Sequence, residues 1–144
     1  MMDNSYELEI EGKLENLSLI GDFIGDTMRS FGLDEHKTFE VQLAVDEACT
    51  NIIEYGYTNT NANEVGMIDI ACQRKGKEIV VVIKDEGKPF DPTSVPPPDL
   101  EANVEDRKAG GLGIYFMKTL MDEVKYEFIE GKNVLTMVVR PSPR

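Results

Sequence analysis

The sequence predicts an α/β chain of the α+β type, a two-layer sandwich with helices on one face of a mixed, mostly antiparallel sheet. Three observations carry this. Apolar residues recur at three- and four-residue spacing through the first third of the chain, and strand-like runs take over afterwards. Two pairs of these runs are separated by short glycine-containing turns, the signature of hairpins. The resulting order β-α-α-β-β-loop-α-β-β, without an internal repeat, sets helices against a single sheet face.

The elements follow in order. YELEI, residues 6–10, alternates as a first strand. From about Glu15 to Phe31, Leu17, Ile20, Ile24, Met28 and Phe31 mark one face of an amphipathic helix that Gly32 can end. Asp34 suits the N-cap of a second helix running through Phe39, Leu43, Ala44, Ala48 and Ile52 to about Gly56. GMIDIACQ and EIVVVIKD are strands joined by the turn RKGK. Residues 86–109 form one long irregular segment with most of the prolines, and a loop of that length in a compact domain usually carries function or lacks order. GGLGIYFMKTLMDEV passes from glycines directly into a helix with Ile114, Met117, Leu120 and Met121 on one face. VKYEFIE and NVLTMVVR, joined through Gly131 and Lys132, close the chain as a second hairpin.

Composition narrows the function. The 144 residues fit one domain with a single core, residues 1–144, and 41% hydrophobic with 29% charged residues is ordinary for a globular protein. The N-terminus lacks the basic start and apolar stretch of a signal peptide, so a cytoplasmic location is the expectation. Cys49 and Cys72 lie in apolar segments, which suits reduced core thiols, and with His36 as the only histidine a zinc site is disfavoured. A formal net charge of −12 argues against nucleic acid or an anionic membrane as a direct partner. A small anion such as a nucleotide requires helix N-termini, a metal and local cations to reverse that field.

Three short patterns carry chemistry. Glu47 and Asn51 are four residues apart in AVDEACTNIIEYGY and share a helix face, at the edge of its apolar side near Glu40 and Glu54. Taken alone, such a pair is a solvated polar stripe. Asp85 ends a strand directly before the turn to Gly87; its carboxylate can accept from an exocyclic amine, and Gly87 leaves room for a flat ring, although an Asp–Gly turn needs neither. In AGGLGI, Gly110, Gly111, Leu112, Gly113 and Ile114 open a helix whose N–H groups can face an anion, with hinge or cap as the bland alternative. Arg107 and Lys108 precede it and can reach a terminal phosphate or stand in solvent.

Together, in this order, the three patterns resemble the ATPase superfamily of DNA gyrase, heat-shock chaperones, histidine kinases and mismatch-repair proteins, the Bergerat fold. DEACTNIIEYGY, DEGKPFDP and GGLGIYFMKTLMDEVKYE look most like the anti-sigma regulatory factor family of small serine/threonine protein kinases, over about Tyr6 to Arg140. The resemblance implies an ATP-binding transferase with magnesium: Asn51 as the metal ligand, Glu47 as general base, Asp85 and Gly87 at adenine, residues 110–114 with Arg107 and Lys108 at the phosphates, and Thr136 supporting the adenine side. It implies a lid in the loop of about 86–109, phosphorylation of a small anti-sigma factor antagonist, and sequestration of a sigma factor in transcription regulation. Homodimerisation belongs to the family pattern alone; no residue here demonstrates it. Pro89 stands where several relatives have a second glycine, which affects the path of the loop. His36 opens a helix without a preceding dimerisation helix pair, so a solvated side chain is expected there rather than a phosphoacceptor, and a complete histidine kinase is disfavoured. The rival reading is a non-catalytic adaptor whose partner choice depends on the bound nucleotide. A detached piece of a larger sensor is the third, and a stand-alone domain is the expectation.

Overall fold

A computed structural model describes residues 5–57, 66–94 and 117–141. The strands are β1 (Ser5–Glu11), β2 (Met67–Lys75), β3 (Glu78–Asp85), β4 (Glu123–Ile129) and β5 (Lys132–Val139); the helices α1 (Leu17–Ser30) and α2 (Glu35–Asn51) lie between β1 and β2. The sheet order is β1-β2-β3-β5-β4. The expected mostly antiparallel sheet is antiparallel at each of these pairings. Both hairpins turn through glycines with positive φ, Gly76 at 59° and Gly131 at 81°, a backbone shape that costs glycine no side-chain clash.

Strand alternation decides which side faces the helices. Ile68, Ile70 and Cys72 on β2, Ile79, Val81 and Ile83 on β3, and Leu135, Met137 and Val139 on β5 are buried in the same core as Ile20, Ile24 and Met28 of α1 and Val41, Ala44, Val45 and Ala48 of α2. Each of the isoleucines is worth about 1.5–3 kcal/mol relative to leaving it in water, so their parity fixes the strand register. Asp34 caps α2 as expected, its Oδ1 accepting from the Lys37 N–H at 2.7 Å. Gly32, with φ 88°, follows α1 and ends it.

Two features position the site. First, α2 does not stop as an ordinary helix. It widens into a π-helical turn, Ile52–Gly56, in which the Tyr57 N–H donates to the Ile52 carbonyl five residues back at 3.1 Å. Second, β3 and β5 run in opposite directions, so the end of one meets the start of the other, and Asp85 is registered opposite Asn133. Beyond β3, residues 86–94 pass over the edge of the core and include a short 3₁₀ turn, Pro92–Ser94. Asp91 holds that turn by accepting from the Thr93 N–H at 2.8 Å. Residues 117–120 are helical, and Met117 and Met121 enter the core.

Candidate nucleotide site

The end of α2, the residues after β3 and the start of β5 line a narrow cleft. Its apolar walls come from Ala48, Ile52, Phe90, Met117 and Leu135, and its polar groups are Asn51, Asp85, Lys88, Tyr126 and Asn133. An apolar slot with a few convergent polar groups is the usual form of a small-molecule site.

Asn51, Asp85 and Asn133 are each only 6% exposed. Asn51 thus sits deeper than the edge position its helical spacing suggests, while Glu47, one turn earlier, is half-buried. The Asn51 Nδ2 is buried and makes no hydrogen bond of ordinary geometry among the described residues, although the amide lies close enough to the Glu47 carboxylate to draw its pKa down. A buried amide nitrogen without a well-formed hydrogen bond costs about 1–3 kcal/mol, and this one belongs to a residue that lines the cleft. Burial raises the Glu47 carboxyl above its ordinary range, the negative charges of Asp46 and Glu54 add to this, and the Asn51 amide opposes it.

Asp85 is held on one side. Its Oδ1 accepts from the Gly87 N–H at 2.8 Å and from Asn133 Nδ2 at 2.9 Å. Burial raises its carboxyl, and those two donors pull it back down. The Gly56 carbonyl accepts from the Lys88 N–H at 3.0 Å, and Phe90 N–H donates to Asn133 Oδ1 at 3.4 Å. Pro89 lies between these two N–H groups and has none of its own to satisfy, so proline is tolerated at this position. Tyr55 and Phe90 stack at a centroid distance of 6.3 Å beside the cleft.

The structure therefore brings Asn51, Asp85 and Gly87 together, with Glu47 one helical turn from Asn51. Thr136 is a correction. It falls on the opposite parity of β5 from Asn133, Leu135 and Met137, and is half-exposed on the side of the sheet away from the cleft. The β5 residue beside Asp85 is instead Asn133. The signal was available: Asn133 is the one polar residue on the buried parity of β5, followed by Leu135, Met137 and Val139. Arg107, Lys108 and residues 110–114 lie outside the described residues, as does the loop from 95 to 109.

Residues 10–139 match the family described as the histidine kinase-like ATPase domain. The chain belongs to that family. It is similar to the serine-protein kinase RsbW of Bacillus cereus (strain AH820), with 29% identity over 133 residues, 90% of this chain and 81% of the relative. The serine-protein kinase RsbW of Bacillus thuringiensis (strain Al Hakam) matches with the same identity and coverage. Among solved structures, the RsbU and RsbW domains of Rv1364c from Mycobacterium tuberculosis superpose with a TM-score of 0.69 over 97% of this chain at 14% identity. The match spans 33% of that longer chain, and it shows the shared fold. Among the described residues, no helix is long and apolar enough to cross a membrane.

Proposed function

We propose that this histidine kinase-like ATPase domain is a magnesium-dependent serine/threonine protein kinase of the anti-sigma regulatory type. Its protein substrate would be a small antagonist protein, and a sigma factor its second partner. The observation that carries the reading is the pairing across one cleft of an acceptor-only carboxylate, Asp85, with a buried amide, Asn51, whose nitrogen makes no hydrogen bond of ordinary geometry among the described residues and which stands one turn from the half-buried Glu47. The similarity to proteins named serine-protein kinase RsbW points the same way.

Asp85 accepts from the exocyclic amine of adenine in this reading, and Gly87 lets the ring approach the backbone. The donor set fits magnesium as a hard ion that needs only one or two protein oxygens beside phosphate: Asn51 supplies an amide oxygen, and no group of three or more His, Cys, Asp or Glu able to hold a metal occurs among the described residues. When bound, the ion neutralises charge on the phosphates. Glu47 accepts the proton of the attacking hydroxyl, and its raised pKa makes it the stronger base. On the sequence pattern, Arg107, Lys108 and the glycines from Gly110 to Gly113 are assigned to the phosphates.

The test is to incubate the protein with Mg-ATP and a small antagonist protein and to seek phosphoserine or phosphothreonine by mass spectrometry. Phosphate on the antagonist supports the kinase. ATP binding without any transfer supports a nucleotide-dependent adaptor in its place.

A further inference from the structure

Asn133 has every hydrogen-bonding capacity of its amide engaged. Nδ2 donates toward Asp85 Oδ1 at 2.9 Å, the Gly87 carbonyl at 3.1 Å and the Lys88 carbonyl at 3.2 Å. Oδ1 accepts from the Tyr126 hydroxyl and from the Phe90 N–H. Such a set fixes the amide one way round. Turned over, its oxygen would face three acceptor oxygens and its nitrogen two donors. Tyr126 sits across the β4–β5 pair, opposite Leu135 and so diagonal to Asn133 on the cleft side, which is why its hydroxyl reaches that oxygen.

The consequence falls on Asp85. Both hydrogen bonds described for it, from Asn133 and from Gly87, end on Oδ1, so the carboxylate is held by one oxygen while the residue lines the cleft. We infer that Asn133, locked by Tyr126, is a positioning residue that aims the Asp85 carboxylate at an amino group on the ligand, and so sets the preference of the cleft for a 6-aminopurine over a 6-oxopurine. The inference rests on the nucleotide reading above. A carboxylate held in place attracts an amine and repels a carbonyl oxygen; one free to turn does both less well.

The experiment measures the dissociation constants of ATP and of inosine triphosphate, which differ at the position-6 substituent, for the wild type, Asn133→Leu and Tyr126→Phe. The wild type should prefer ATP. In Asn133→Leu the preference should fall roughly tenfold to a hundredfold, the range for a hydrogen bond to a charged group. In Tyr126→Phe, which keeps the ring, it should fall about threefold to tenfold, the range for a neutral one. Inosine triphosphate affinity should hold or rise in both, since a carboxylate free to turn repels the position-6 carbonyl oxygen less.

A wild type that binds neither nucleotide overturns the nucleotide reading itself. Tight ATP binding with an unchanged preference in both variants overturns the role of Asn133 alone. Equal loss of both nucleotides shows damage to the cleft rather than lost aim, and overturns it too. Should Asn133→Leu fail to fold, the preference of Tyr126→Phe decides the matter.

Discussion

Gly56 and Gly87 pack backbone against backbone: a Cβ placed on Gly87 would lie 2.7 Å from the Gly56 carbonyl oxygen. That same oxygen accepts from the Lys88 N–H at 3.0 Å. The contact joins the π turn after Asn51 to the turn after Asp85, and thereby sets the spacing between the two polar walls of the cleft. Gly87→Ala should destabilise the fold by about 1–3 kcal/mol, the cost of forcing a methyl into packed backbone, and should weaken ATP binding. Urea denaturation and calorimetry measure the two effects, and a stable variant with wild-type affinity contradicts the role of this contact.

Asp85→Asn keeps the size of the side chain, and its one oxygen can still accept from Gly87 and Asn133. The nitrogen then faces the ligand with a donor where an acceptor is needed. ATP affinity should fall roughly tenfold to a hundredfold, as for a lost hydrogen bond to a charged group of about 1.5–3 kcal/mol. Unchanged affinity in calorimetry, with the fold intact, removes Asp85 from the site.

The pH dependence follows from the raised carboxyl of Asp85. Its folded pKa lies above that of the unfolded chain, so its contribution to stability is present at low pH and is lost as pH rises through the folded value. Binding moves the other way, because protonation removes the acceptor for the adenine amine. Acidification should weaken ATP binding at a pH above the range in which an exposed aspartate protonates, and this part of the profile should vanish in Asp85→Asn. An identical profile in that variant would rule out Asp85 as its source.

Asn51→Leu replaces an amide whose buried nitrogen makes no hydrogen bond of ordinary geometry among the described residues. Apolar substitution there relieves a cost of about 1–3 kcal/mol, so the melting temperature should hold or rise. Magnesium-dependent ATP binding should nevertheless be lost. A variant that melts far below wild type would show that Asn51 serves the fold and not the ligand.

Much of this was legible in the sequence because the local signals agree with one another. The cap at Asp34, the period change after α2 and the glycine turns of both hairpins each point to the observed elements. Asp85 was legible because a carboxylate at the end of a buried strand is conspicuous beside Gly87. For Asn133 only half the signal is local: its polar side chain on the buried parity of β5 stands out, but its role depends on which residue of β5 is registered opposite Asp85, and register is a property of the pair of strands. Thr136 illustrates the same point: a slip of one residue moves a side chain to the other face of the sheet. The π turn after Asn51 was also hidden, since Ile52 to Gly56 continue an ordinary helical pattern.

Glu47 is assigned to proton transfer and not to nucleotide affinity, and Glu47→Gln separates the two. Mg-ATP affinity is measured by calorimetry, and phosphate transfer to a serine or threonine of the antagonist protein by mass spectrometry. Affinity should remain within about threefold of wild type, because Asn51 and Asp85 still hold the nucleotide, while transfer should fall by about two to four orders of magnitude, the usual contribution of a positioned base. A Glu47→Gln protein that transfers phosphate at the wild-type rate would contradict the account.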